Sequence, residues 1–194
     1  TRKRPEFKKR PGSRLQNATL AGFYQNVRGL NTKLTSLWHQ APHITYDFLI
    51  LTETWLSDRL NTSELGLHNY NVYRCDRSSS NNSFKSRGGG VLIAVASSCR
   101  SYRWQSADNA EHVFIILPDC KVILGCTYLA NYQPVSVLEA HLDELDTVSD
   151  AFPGFDVVLA GDYNIPGIEW DSWNVESQPP HLGPRGRLLH DSAR

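Results

Sequence analysis

The 194-residue chain contains no methionine and begins with threonine, so it reads as a fragment or processed piece of a longer protein. No apolar run approaches the roughly 18 residues of a membrane span, which excludes a transmembrane helix. The N-terminus is basic but no apolar h-region follows it, so no secretory signal is expected. The four cysteines (Cys75, Cys99, Cys120, Cys126) show no C-x-x-C spacing, and Cys126, inside an apolar run, reads as a reduced core residue. There is no internal repeat and no net charge. The expected setting is intracellular, nuclear or cytoplasmic, with no membrane partner.

The zero net charge hides an asymmetry. Residues 1–14 (TRKRPEFKKRPGSR) hold seven Lys/Arg and one Glu, and the remainder holds thirteen basic against nineteen acidic residues, a net of −6. A basic stretch with two prolines reads as a flexible arm or linker over residues 1–19, able to touch nucleic acid or to serve as a nuclear address. Residues 20–194, 40% hydrophobic across the whole chain, suit one globular domain with a sizeable core.

Strands dominate that domain. LAGFYQNVRGL (20–30), DFLILTETW (47–55), YNVYR (70–74), GVLIAVA (90–96), HVFIIL (112–117), KVILGCTYL (121–129) and VVLAGD (157–162) are rich in Val, Ile and aromatic residues. The pair 112–117 and 121–129 predicts a hairpin. Two helices stand out. In NTKLTSLWHQ, Leu34, Leu37 and Trp38 fall at helical spacing; in 136–152, Leu138, Leu142, Leu145 and Phe152 trace one face, with Ser136 and Glu139 as a capping box. Residues 77–90 read as an exposed Ser/Asn/Gly-rich loop, and RGRLLHDSA as the start of a further helix. Several strands, 157–160 among them, are apolar on both faces and predict cover on both sides. Hairpins and helical connections together predict a mixed-sheet α/β sandwich: two stacked sheets with outer helices.

Four of these strands end alike. They run into Gln25-Asn26, Thr52-Glu53, Thr127-Tyr128 and Asp162-Tyr163-Asn164. Singly, each has an ordinary role: Gly-Asp is a common turn, Glu53 a solvated acid, Asn26 a cap, Tyr128 a packed strand tyrosine. Converging at neighbouring strand ends, they would form an oxygen-rich site for a hard cation such as Mg²⁺, suited to phosphodiester hydrolysis.

Five segments in order, QNVRGL (25–30), LTETWL (51–56), RGGGVLIAV (87–95), TYLAN (127–131) and VLAGDYNIPGIEW (159–170), resemble the endonuclease/exonuclease/phosphatase (DNase I-like) family. The wording is most similar to the apurinic/apyrimidinic-endonuclease-like endonuclease domain of non-LTR retrotransposons. The resemblance implies a four-layer α/β/β/α sandwich. It implies a metal site at Glu53 with Asn26, and catalytic Asp162, Asn164 and Tyr128: Asp162 activating water, Asn164 and Tyr128 on the scissile phosphate. It implies substrate contacts from Asn131. Arg77, Lys85 and Arg87 in the 77–90 loop are candidate phosphate contacts. The implied cofactor is Mg²⁺, with Mn²⁺ as the alternative.

The implied activity is Mg²⁺-dependent nicking of DNA that primes reverse transcription by a reverse transcriptase domain of the same polyprotein. The family's closing Ser-Asp-His segment has no counterpart here; His190-Asp191 is reversed in order and lies too early. The expectation is a domain lacking its last strands, with an unpaired sheet edge, reduced stability and activity orders of magnitude below an intact relative. The other histidines (His39, His43, His68, His112, His141, His181) are expected in surface or helix roles. Two alternatives stand beside the nuclease: a truncated remnant that at most binds nucleic acid, and a phosphoinositide phosphatase of the same fold.

Overall fold

Two helical crossovers organise the chain. The structure, a computed structural model, describes residues 19–78, 88–106, 110–165 and 183–192. From β1 (Gly22–Asn26) the chain passes through a 3₁₀ turn (Asn31–Lys33), α1 (Leu34–Gln40) and a second 3₁₀ turn (Ala41–His43) into β2 (Phe48–Thr52). A crossover of this length returns the chain to its starting end, so β1 and β2 pair in parallel, Gly22 opposite Phe48 and Asn26 opposite Thr52. After β3 (Tyr70–Cys75), β4 (Val91–Ala96), β5 (Tyr102–Arg103) and β6 (His112–Leu117), the device recurs. β7 (Val122–Tyr128), α2 (Val135–Ala151) and β8 (Asp156–Asp162) form a second parallel pair, Tyr128 opposite Asp162. The strands make two four-stranded sheets, ordered β1-β2-β4-β3 and β5-β6-β7-β8. The expected β6–β7 hairpin is present, antiparallel from His112–Thr127 to Leu117–Val122.

The sheets stack face to face. Ile50, Val91, Ile93 and Val95 of one meet Val113, Ile115, Leu117, Leu124 and Cys126 of the other, all buried, each large side chain contributing about 1.5–3 kcal/mol of burial. Leu34, Leu37 and Ile44 cover the outer face of the first sheet against Leu49, Leu51, Leu92 and Ala94. On the second sheet Val148 of α2 packs against Phe114, Ile116 and Ile123. The result is the expected α/β/β/α sandwich. α3 (Pro184–Ser192) rests its Leu188 and Leu189 on Leu138 and Leu142 of α2.

Local expectations differ at three points. α2 begins at Val135 with Pro134 at its N-cap and no side-chain capping bond, so Ser136 and Glu139 do not form a box. Proline's fixed φ, here −67°, sets the entry instead. Trp38 leaves the apolar face of α1: it is 48% exposed and donates its indole N–H to the Glu64 carbonyl at 2.7 Å. β8 is not covered on both faces. Among the described residues only β7 flanks it, and Val157, Val158 and Leu159 are 38–40% exposed. β1 is the matching edge of the other sheet, with Phe23 and Tyr24 exposed, so the described residues leave the sandwich open along one flank. The expected arm, apart from Thr19, lies outside the described residues.

Candidate active site

The two parallel pairs explain why four strands end alike. Parallel strands share their C-terminal end, so β1 delivers Asn26 beside Thr52 and Glu53 of β2, while β7 delivers Tyr128 beside Asp162 of β8. Facing the sheets brings the two ends together. The Asn26 amide Nδ2 donates to Asp162 Oδ2 at 3.0 Å, spanning 136 residues of sequence. The Asn164 backbone N–H holds the other oxygen, Oδ1, at 3.2 Å. Both lone-pair faces of Asp162 are thus oriented before any substrate arrives. Tyr128 lies beside Glu53, its hydroxyl donating to the carboxylate.

Backbone strain concentrates here. Of the five non-glycine residues with positive φ among the described residues, four (Arg28, Glu53, Trp55, Asn164) lie just past the ends of β1, β2 and β8. Such conformations cost about 1–3 kcal/mol each and persist where surroundings enforce them. The enforcing contacts are backbone bonds: Gly29 N–H to Glu53 O at 2.7 Å, Leu30 N–H to Thr54 O at 2.8 Å and Trp55 N–H to Gly89 O at 2.9 Å. Gly88, Gly89 and Gly90 all have φ between 63° and 87°, which is why the stretch before β4 is a run of glycines. The Gly89 N–H reaches Glu53 Oε2 at 3.2 Å.

Burial raises the Glu53 carboxyl pKa, but hydrogen bonds from Trp55, Tyr128 and Gly89, with the Arg77 charge, outweigh it and set it below the usual carboxylate range. Glu53 is therefore ionised at neutral pH. Burial, with the Glu53 hydrogen bond and charge, pushes the Tyr128 phenol well up, so Tyr128 stays a neutral donor. Two carboxylates and an amide oxygen are hard donors. The described residues hold no group of three His, Cys, Asp or Glu poised for a metal. The set fits Mg²⁺, which takes one or two protein carboxylates and keeps waters.

The scan against protein-family models matches the endonuclease/exonuclease/phosphatase family over residues 16–192. The chain belongs to that family. Solved structures of the same fold include the AP endonuclease from Archaeoglobus fulgidus (15% identity, TM-score 0.57, covering 90% of this chain and 69% of that one). The 3′ phosphatase NExo from Neisseria, bound to a product DNA hairpin, is similar at 18% identity and TM-score 0.55, covering 81% and 63%. The endonuclease domain of TRAS1, a telomere-specific non-LTR retrotransposon, is similar at 13% identity and TM-score 0.54, covering 84% and 66%. The chain thus spans about two thirds of the length of these structures. No curated protein sequence matches it.

Within this family chain, not every expected residue reaches the cluster. Asn131 is exposed on the turn beyond Tyr128, a turn anchored by Gln133 Oε1 on Ala130 N–H at 2.7 Å and Arg185 Nη1 on Ala130 O at 3.0 Å. Arg87 and Lys85 lie outside the described residues. Arg77 is a correction. It is buried, and its guanidinium pairs with Glu111 (Nε to Oε1 at 2.5 Å, Nη2 to Oε2 at 3.1 Å) and stacks over Tyr128 at 5.3 Å. It braces the site from within rather than facing phosphates. Glu111, which also accepts the Gly90 N–H at 3.0 Å, gave no sequence signal, because its partner lies 34 residues away.

His112 is a second correction: it is buried on β6, not in a surface or helix role, whereas His141 lies on helix α2 as expected and is buried there. Their Nδ1 atoms lie 3.1 Å apart, and His141 Nε2 lies 3.1 Å from the Tyr163 hydroxyl. Burial, then the neighbouring His112, lowers the His141 pKa to about 3, so His141 is neutral. The network ties α2 to the residue between Asp162 and Asn164. No described helix is long and apolar enough to cross a membrane.

Proposed function

We propose that this chain is the metal-dependent endonuclease domain of a non-LTR retrotransposon polyprotein, hydrolysing a phosphodiester bond in DNA and so supplying the primer end for a reverse transcriptase domain of the same polyprotein. The observation that carries the reading is the Asn26–Asp162 contact across the two sheets, with Glu53 and Tyr128 beside it. Metal-assisted cleavage needs a metal-binding acid, an oriented base and neutral donors to phosphate, and the four residues supply those functions.

Glu53, ionised, and Asn26 are the residues that hold the cation. When bound, Mg²⁺ supplies Lewis-acid polarisation of a phosphoryl oxygen and charge neutralisation on the leaving oxygen. Asp162 takes the proton of the attacking water. Its two oxygens are fixed by Asn26 and by the Asn164 N–H, so the base needs no reorientation. Tyr128 keeps its proton and donates to a phosphate oxygen. Asn164 binds the same phosphate through its side chain. Asn131, exposed beyond Tyr128, contacts the flanking nucleotide.

Supercoiled plasmid nicking tests the reading. Nicking should require Mg²⁺ or Mn²⁺, stop with EDTA and fall about 10²–10⁴-fold in Asp162→Ala. Nicking unchanged by that substitution contradicts the assignment. Hydrolysis of a soluble phosphoinositide without nicking would move the substrate class to lipids.

A further inference from the structure

The exposed aromatic side chains of the described residues fall into different settings. Phe23 and Tyr46 stack on each other at 5.4 Å, and Trp38 is tethered to a remote turn through Glu64. Trp55 alone among them is tied to a site residue: its indole N–H donates to Glu53 Oε2. The residue is 48% exposed, yet its backbone and one part of its ring are held. Its backbone N–H bonds Gly89 O at 2.9 Å, its carbonyl accepts from Asn31 Nδ2 at 3.4 Å, and its φ is +54°. The ring lies against Gly29, where any Cβ would come within 2.6 Å of Cε3. A small polar donor would suffice to hold Glu53. A wide ring kept half in water, at the cost of a left-handed backbone, needs another reason.

We infer that Trp55 is a nucleobase-stacking platform, presenting its open ring face to a base next to the scissile phosphate while its N–H edge orients Glu53. This rests on the reading of the site as a nuclease. The chemistry agrees with the place. Base stacking on an aromatic ring is worth about 1–3 kcal/mol and tolerates any base, so it adds affinity without sequence preference. Fixing the ring beforehand removes the ordering cost that a free side chain would bring. Arg28, exposed and next in sequence to the Gly29 on which the ring lies, offers a positive charge for the backbone that joins that base.

The test compares two probes of equal length at low salt: oligothymidylate, and an oligomer of abasic tetrahydrofuran phosphates, which has the backbone without bases. Fluorescence anisotropy should show Trp55→Ala weakening oligothymidylate binding by about 5- to 100-fold, the stacking range, while the abasic oligomer changes less than about twofold. Trp55→Phe, which keeps a ring but not the N–H, should recover most of the loss. Equal weakening on both probes, or none on either, overturns the platform and leaves Trp55 as a support for Glu53 alone. Wild-type protein that binds oligothymidylate no better than the abasic oligomer also overturns it. Wild-type protein that binds neither probe and nicks no plasmid sinks the nuclease reading, and the platform with it. Binding with nicking abolished in Asp162→Ala keeps the two questions apart.

Discussion

Strands β7 and β8 lie side by side, pair in parallel and carry similar apolar sequences, VILGCTY and DVVLAGD. β7 is buried at all seven positions; β8 is buried at none, with its first four residues exposed. The difference is position. β7 has β6 on its other side and both layers over it, whereas among the described residues β8 has only β7. β1 is the equivalent edge of the first sheet. Yet both edge strands end in the candidate site, at Asn26 and Asp162, beside the buried strands β2 and β7, which run on to Glu53 and Tyr128. All four strands reach the site, but the packing that supplies stability is concentrated in the two inner ones.

The largest test of this contrast lies behind the site. Arg77 and Glu111 are almost completely buried, so Arg77→Met, which strands the acid, should cost about 3–5 kcal/mol in urea unfolding. Arg100→Met, at an ion pair 3.8 Å long whose side chains are 70% and 60% exposed, should change stability by less than about 1 kcal/mol. Equal effects would dissolve the distinction between the brace and the surface.

Next comes a direct strand comparison. Leu124→Ala in β7 should cost about 2–5 kcal/mol, since the side chain is fully buried between the sheets. Leu159→Ala in β8, already 38% exposed, should cost under about 1.5 kcal/mol in the 194-residue chain. Comparable costs would show β8 covered in solution.

The histidine pair gives a smaller, pH-dependent effect. His141 is neutral in the fold, with its pKa lowered to about 3, and accepts a proton near pH 6.5 when unfolded. The stabilisation is therefore complete above about pH 6.5 and falls as acid is added, by about 1.4 kcal/mol per pH unit toward pH 3. Between pH 6.5 and 5 this site should remove about 2 kcal/mol. His141→Phe should be less stable at pH 7 yet show a flatter acid dependence; an unchanged slope would place the titration elsewhere.

Much of the architecture was legible. Apolar runs marked the strands, and the α/β/β/α order followed from hairpins and helical connections. The shared polar endings of four strands come together in the fold, because a helical crossover forces parallel pairing and parallel strands share an end. What was not legible depended on tertiary partners. Apolar content on both faces of 157–160 states what a strand would bury, not what covers it. Arg77 reads as a loop cation until Glu111 is placed against it. His112 reads as a surface or helix histidine until His141 of α2 is placed against it. The Ser136–Glu139 spacing matched a capping box, but Pro134 had already fixed the helix entry. Trp55 was visible in ETWL, but nothing in the sequence showed that its ring stays half in water.

Mn²⁺ titration by calorimetry, on wild type and Glu53→Gln, tests most directly whether these strand ends form a metal site. Wild type should bind one ion, and Glu53→Gln should bind it at least about tenfold more weakly without a change in melting temperature large enough to signal unfolding. Equal affinity in the two proteins would contradict the site.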